Sequence, residues 1–329
     1  MIRVGVIGTG EWGRNHVRVY RELEDADLLA ISDLNHRNLE YLNRMYRVKT
    51  TVDYNDLLND SRIEALSICT QASTHHDLGL RALRAGKDVI IEKPLALNSK
   101  DAKDLVQCAE EERRILMVGH IFRFNPAIIQ MKEEIRKGSL GQTYFISSSR
   151  IGPRAPRPDC GVIFDFAVHD VDTFCFLLNE PYPEEIEATT GCFINGTYEY
   201  IGLITLRFPP NILAHAHVSW LSSKKIRELL VVGNKKSAYL NYLTQEIEIF
   251  NVGTIPEYDS FGTFKLITAE GESYKPYVTK QEPLKNELKH FLECVKNRKE
   301  PLSNGAVGLR TVELIEEIYK SAATRRTTK

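Results

Sequence analysis

The chain lacks a charge bias: 43 Lys and Arg residues stand against 44 Asp and Glu residues over 329 positions. Without a basic excess, neither nucleic acid nor an anionic membrane surface is an expected partner. No apolar run is long enough to span a bilayer. No C-x-x-C pair occurs; the six cysteines, Cys69, Cys108, Cys160, Cys175, Cys192 and Cys294, are scattered. That pattern argues against zinc and disulfides and for reduced thiols in the cytoplasm. The leading residues already read as a core strand, so no secretory leader is expected. Repeats and low-complexity segments are missing too. What remains is an ordinary globular composition and enough length for two domains with well-buried cores.

What is present begins at residue 2. Ile2-Arg3-Val4-Gly5-Val6-Ile7 is short, apolar and β-branched, the pattern of a buried strand. Gly8-Thr9-Gly10-Glu11-Trp12-Gly13 follows with G-x-G-x-x-G spacing, then a helical run from Arg14 to Leu23. A second apolar run, Asp27 to Ser32, ends on Asp33, twenty residues after Gly13. Each part has a physical job in holding a dinucleotide. Gly8 allows the tight turn, Gly10 lets backbone approach a pyrophosphate, and Gly13 lets helix and strand close up. The helix start offers free N–H groups to phosphate. Trp12 is expected over those phosphates or over the helix start. Asp33 would accept hydrogen bonds from a ribose diol and would repel a 2′-phosphate, which favours NAD over NADP. Arg37 lies close enough to blunt that preference. The glycines alone are a weak signal; strand, helix, second strand and acid together are a strong one.

Up to Gly119 short apolar strands alternate with helices, which implies a parallel sheet with right-handed crossovers. Thr74 reads as the cap of a helix from Asp77 to Ala85, with Gly86 as its stop. In such sheets ligands sit beyond the strand carboxyl ends. Three segments therefore converge on one crevice: Gly8 to Gly13, Thr70 to His75 and Glu92 to Pro94. After Gly119 the period changes. Helices are expected at Pro126 to Arg136, Phe164 to Leu178, Pro283 to Asn297 and Ala306 to Ala322, and strands from Gln142 and from Ile186 to about Phe250. Pro209-Pro210-Asn211, Gly233-Asn234 and Asn195-Gly196 read as hairpin turns, the last in preference to a glycosylation sequon. The chain thus divides into a dinucleotide-binding domain, residues 1–119, and an α+β domain, residues 120–329. The final helix is free to fold back on the first domain. The open face of the second sheet needs cover, so a homodimer or homotetramer is expected. His215 and His217 share one strand face, but no third ligand stands at plausible spacing, so no metal site is expected.

His75 to Leu83, Ala85-Gly86-Lys87-Asp88-Val89, Glu92-Lys93-Pro94 and Asp165-Phe166-Ala167-Val168-His169-Asp170-Val171-Asp172 together resemble the Gfo/Idh/MocA oxidoreductases. The resemblance covers essentially the whole chain. It implies a Rossmann domain, a doubly wound parallel sheet, followed by an α+β domain with an open, largely antiparallel sheet. It implies NAD-dependent oxidation of a sugar-like alcohol, with Lys93, Asp165 and His169 as the catalytic group. It also implies a cofactor contact for His75, beside Thr70, Glu92 and Lys93. The chemistry agrees: a secondary alcohol needs a base as hydride leaves, and histidine titrates near neutrality. A lysine at a strand end would stabilise developing alkoxide charge. Whether His169 or Lys93 takes the proton stays open. Val118 to Pro126 resembles the branch that oxidises the 3-hydroxyl of UDP-N-acetylglucosamine, which puts Arg123 and Asn125 beside a nucleotide-sugar substrate. Arg150, Arg154 and Arg157, on or beside a Pro-rich loop, suit its phosphates. Another sugar or cyclitol as substrate, and a dinucleotide-sensing regulator without catalysis, remain the alternatives.

Overall fold

The computed structural model describes residues 1–194, 197–251 and 272–324. The first half runs β1 (Ile2–Ile7), α1 (Gly13–Glu22), β2 (Ala26–Ser32), α2 (His36–Tyr46), β3 (Lys49–Thr51), α3 (Asn55–Asn59), β4 (Ala65–Ile68), α4 (His75–Arg84), β5 (Asp88–Glu92), α5 (Ser99–Glu111) and β6 (Leu116–Gly119). Its six strands lie in the order β3-β2-β1-β4-β5-β6, all parallel. The order reverses direction between β1 and β4, so the ligand crevice of a doubly wound sheet opens there. β4, β5 and β6 are buried along their whole length, as strands covered on both faces must be.

Local chemistry sets the element ends. The Asn35 side chain accepts from Arg37 N at the start of α2, and Asn98 accepts from Asp101 N at the start of α5. Gly86, at φ +75°, turns the chain out of α4. Thr74 precedes that helix but does not cap it. Its hydroxyl goes to Thr70 Oγ1 and Gln71 O, because residues 72–74 form a 3₁₀ turn that starts the helix at His75.

The second half continues with α6 (Pro126–Arg136), β7 (Thr143–Ile151), α7 (Val168–Leu177), β8 (Glu185–Gly191), β9 (Ile201–Phe208), β10 (Ile212–Ser219), β11 (Ile226–Gly233), β12 (Lys236–Asn241), β13 (Glu246–Asn251), β14 (Ser273–Tyr274), α8 (Pro283–Asn297) and α9 (Gly305–Thr324). The sheet order is β14-β13-β12-β11-β7-β10-β9-β8; only β7 and β10 pair in parallel. This is an α/β fold with the expected second, mostly antiparallel sheet. β3 and β14 were not foreseen; they are edge strands of three and two residues. The helix expected from Phe164 opens instead as a π-turn, Ile163–Ala167, and becomes α-helical only at Val168. The Asn195-Gly196 turn lies outside the described residues.

One face of the second sheet buries Ile204, Leu206, Phe208, Ala214, Ala216 and Val218 with α6, α7 and α9 in a single core. α8 lays Leu284, Leu288 and Phe291 into the core of the first sheet, with Val17 and Tyr20 of α1. α9 faces both ways: Val312 joins the first half, while Leu314, Ile315 and Ile318 join the second. The two sheets are thus held in one relative placement by burial of α9 on both sides. Among the described residues no helix is long and apolar enough to cross a membrane.

Candidate active site

The crevice at the β1–β4 switch point has a volume of about 820 Å³. That is the size range of a cofactor site. Gly8, Gly10, Glu11, Trp12, Asp33, Thr70, Glu92, Lys93, Arg154 and Arg157 all line it. The glycines divide their labour. Gly8 sits at φ +84°, and a Cβ there would lie 2.8 Å from the Cys69 carbonyl carbon. A Cβ on Gly13 would lie 1.8 Å from the Gly8 carbonyl oxygen, so helix and loop touch only because it is absent. A Cβ on Gly10 would meet no protein atom within 4 Å. Gly10 keeps open, in front of the α1 N-terminus, the space a pyrophosphate needs. Asp33 is held beside this space: Thr9 N and Oγ1 donate to its Oδ2 at 2.6 and 2.8 Å, and Asn35 N donates to Oδ1 at 2.7 Å. These residues fit a dinucleotide.

Three of the expected cofactor residues act from behind the wall. Thr9 is fully buried and works through Asp33; Gly13 works by letting the helix in. His75 is buried, its Nδ1 2.8 Å from Pro94 O and its Nε2 3.2 Å from Thr70 O. It ties the Thr70 loop to the end of β5, and burial pushes its pKa down. Arg37 is exposed and does not line the crevice; Asn38 of the same helix does. Arg37, expected close enough to blunt the preference for NAD, thus stands outside the crevice lining.

β5 delivers Lys93 to the far end of the crevice. Its ammonium donates to Asp165 O at 2.7 Å and Asp165 Oδ1 at 3.4 Å, which leaves a third N–H for a ligand. Burial lowers the Lys93 pKa and nearby Arg157 adds to that, while Asp165 works the other way. Asp165 is a hub. Its Oδ2 accepts from Trp220 Nε1 at 3.1 Å and meets Arg154 Nε at 2.9 Å; Arg157 Nη1 stands 3.7 Å from Oδ1. Burial would raise its pKa, but Lys93, Arg154 and Arg157 outweigh burial and hold it below the ordinary carboxyl range. His169 is half-buried, edge-on to Phe122 with centroids 4.9 Å apart. Burial, then the charges of Lys93 and Arg150, push its pKa well below the usual value, so the ring is neutral near pH 7. Such a ring is set to accept a proton.

The arginines divide sharply. Arg154 and Arg157, 33% and 21% exposed, reach the crevice. Arg150 does not: its Nε and Nη2 donate to Asp170 at 3.0–3.1 Å and its guanidinium lies 4.4 Å from the Phe122 ring, fully enclosed. Arg123, also expected at the substrate, is 1% exposed. It donates to Asp172 at 2.9 Å and to Glu180 at 2.7 Å, locking the interdomain segment to α7. Asn125 is the buried cap of α6, its Oδ1 accepting from Ala127 N at 2.9 Å. These three hold structure, because α7 supplies a carboxylate opposite each arginine.

Sequence reasoning missed several residues. Glu92 does not pair with Lys93. Its carboxylate turns to the other side of the sheet, where His16 Nε2 lies at 3.0 Å, and it packs against Gly119. His16 Nδ1 faces Ser67 Oγ at 3.2 Å, and Tyr20 OH completes the chain at 2.8 Å. A histidine three residues after Gly13, on the inner face of α1, was the available signal. Trp220, Phe122 and Asp159, which fixes Arg157, carried none.

A switch-point crevice lined by the glycine loop, Asp33 and Lys93 fits a nicotinamide dinucleotide. Residues 2–120 match the family profile for the oxidoreductase family, NAD-binding Rossmann fold, and residues 132–329 match that of the same family's C-terminal alpha/beta domain. The chain belongs to the Gfo/Idh/MocA oxidoreductase family and carries its NAD-binding domain. It is 26% identical to myo-inositol 2-dehydrogenase of Thermotoga maritima, over 100% of this chain and 98% of that one. It is 25% identical to UDP-N-acetylglucosamine 3-dehydrogenase of Acidithiobacillus ferrooxidans, over 94% of each chain. A solved structure of the latter superposes with a TM-score of 0.84 at 23% identity, covering 98% of both chains.

Proposed function

We propose that the chain is an NAD-dependent dehydrogenase of CH–OH groups that oxidises the 3-hydroxyl of a nucleotide sugar, UDP-N-acetylglucosamine or a close relative, to the 3-keto sugar. The observation that carries the reading is the Lys93–Asp165 contact at the end of the crevice, with His169 neutral nearby. Bound NAD would accept hydride from the carbinol carbon. Lys93, fixed by Asp165, turns its free N–H to the substrate hydroxyl and stabilises the oxygen as charge develops. His169 has no hydrogen-bond partner on its ring nitrogens among the described residues, and it takes the hydroxyl proton. Arg154 and Arg157 stand at the crevice wall, where forked donors suit phosphate oxygens.

Substrate identity leans on the UDP-sugar relative. The inositol dehydrogenase is similar over as much of its length, so a cyclitol or free sugar is the second reading. Incubating the protein and NAD with UDP-N-acetylglucosamine, UDP-glucose, myo-inositol and glucose, while following absorbance of reduced cofactor, separates them. Reduction with myo-inositol and with no UDP-sugar would replace the first reading by the second. The second sheet leaves Leu203 exposed and His215 and His217 partly exposed on one face, which supports a homodimer or homotetramer through it. Cys69, Cys108, Cys160, Cys175 and Cys294 are free thiols, in keeping with the cytoplasm.

A further inference from the structure

Five cations surround the candidate catalytic group: Lys93, Arg150, Arg154, Arg157 and Arg227. Three buried or half-buried carboxylates answer them. Asp170 is taken by Arg150, with Ser148 Oγ at 2.6 Å on the same carboxylate. Asp159 is taken by Arg157 through two contacts at 3.0 and 3.1 Å. Asp165 serves Lys93 and Arg154. Arg227 has no carboxylate partner among the described residues. Its Nη1 donates to two backbone carbonyls, Ile151 O at 2.6 Å and Ile226 O at 2.8 Å. Its Nε and Nη2 edge is unpaired among the described residues.

The placement is costly in itself. In the β11–β7 ladder Arg227 stands directly opposite Arg150, so two guanidiniums share one sheet face. Like charges in that position are destabilising. Burial and the Arg150 charge push the Arg227 pKa down to about 10. Its guanidinium lies 4.5 Å from the centre of the Phe166 ring, and that of Arg154 lies 5.9 Å from the same ring. Phe166 follows Asp165 in the π-turn, so both arginines flank the candidate catalytic carboxylate.

We propose that Arg227 and Arg154, both beside the Phe166 ring, form an anion subsite that binds a phosphoryl group carried by the substrate. A guanidinium edge matches two phosphoryl oxygens, and stacking on an aromatic ring holds the fork in place. The inference rests on the dehydrogenase reading and adds Arg227 to the residues that would hold a phosphoryl group. It was invisible in sequence because Arg227 sits in a strand with no motif around it.

The test is calorimetric titration of the full chain, saturated with NAD, with UDP and separately with glucosamine 6-phosphate. Wild type is expected to bind at least one, more weakly as NaCl is raised. UDP alone places the group in a nucleotide diphosphate; the sugar phosphate alone places it on the sugar. Arg227→Gln is expected to weaken that binding about 10- to 100-fold, the loss of a charge-assisted pair. Arg227→Lys should fall between, and NAD affinity should stay within about twofold in both. Failure of both anions to bind wild type, salt-independent binding, or Arg227→Gln binding like wild type would each overturn the subsite. Because the readout is binding, a panel in which no UDP-sugar is oxidised defeats the substrate reading without touching this result.

Discussion

Glu287 offers a test of the buried network under the crevice. It is fully buried on α8, and neither carboxyl oxygen has a partner among the described residues. Burial raises its pKa well above the carboxyl range, and the charges of Glu92 and Asp172 push the same way. Glu92 is held low by His16 despite its burial, so the two acids separate: Glu92 carries charge and Glu287 carries a proton. The sign follows from linkage. Below about pH 4.3 both folded and unfolded chains hold this proton. Above it, only the folded chain does, so stability falls with rising pH until the folded pKa is passed. The slope is about 1.4 kcal/mol per pH unit for one proton. Glu287→Gln has no proton to lose, so this slope vanishes. The buried amide adds an offset, but one that does not vary with pH. Over the pH range in which Glu287 stays protonated in the folded chain, the variant should gain on wild type by about that slope. At roughly 2–3 °C per kcal/mol for a chain this long, that is about 3–4 °C in melting midpoint per pH unit. Melting curves of both proteins at pH 5, 6 and 7 suffice. A wild-type-minus-variant difference that stays constant over this window would refute the argument, since it would mean Glu287 ionises in the folded state as it does in the unfolded one.

Four further outcomes follow from the site. His169→Asn should lower kcat about 10²–10⁴-fold with NAD affinity unchanged, measured by steady-state kinetics and titration. In wild type, kcat/KM should stay flat through pH 6.5 and fall only in more acidic buffer, because the His169 pKa lies well below the usual value. Arg123→Leu should cost about 3–5 kcal/mol by leaving Asp172 and Glu180 unpaired, while whatever folds keeps its substrate KM; a raised KM with normal stability would return Arg123 to the substrate. Asp33→Ser should narrow the preference for NAD over NADP, read as the ratio of kcat/KM values, because the charge that repels a 2′-phosphate is gone.

The contrast between Arg123 and Arg154 shows what was legible in the residues and what was not. The Rossmann half could be read because its signals are local: a glycine triplet, a strand before it, an acid after the next strand. Lys93 was found the same way, at the end of a strand. Asp165 and His169 came through resemblance, on a stretch expected to be helical from Phe164 to Leu178. The π-turn at Ile163–Ala167 alters that stretch, and nothing in the residue pattern announces it. The arginines could not be sorted at all from sequence. All four candidates have the same chemistry, and their fates depend on which carboxylate stands opposite. Asp170 and Asp172 project from α7 toward β7 and the interdomain segment, so Arg150 and Arg123 are neutralised and sealed in. Arg154 and Arg157 sit on the Gly152–Gly161 loop, beyond reach of those acids, and stay half open at the crevice. Charge pairing across elements distant in sequence thus decides which arginines remain available to a substrate. By the same rule a strand arginine with no acid opposite is the one to examine for binding, and Arg227 is that residue.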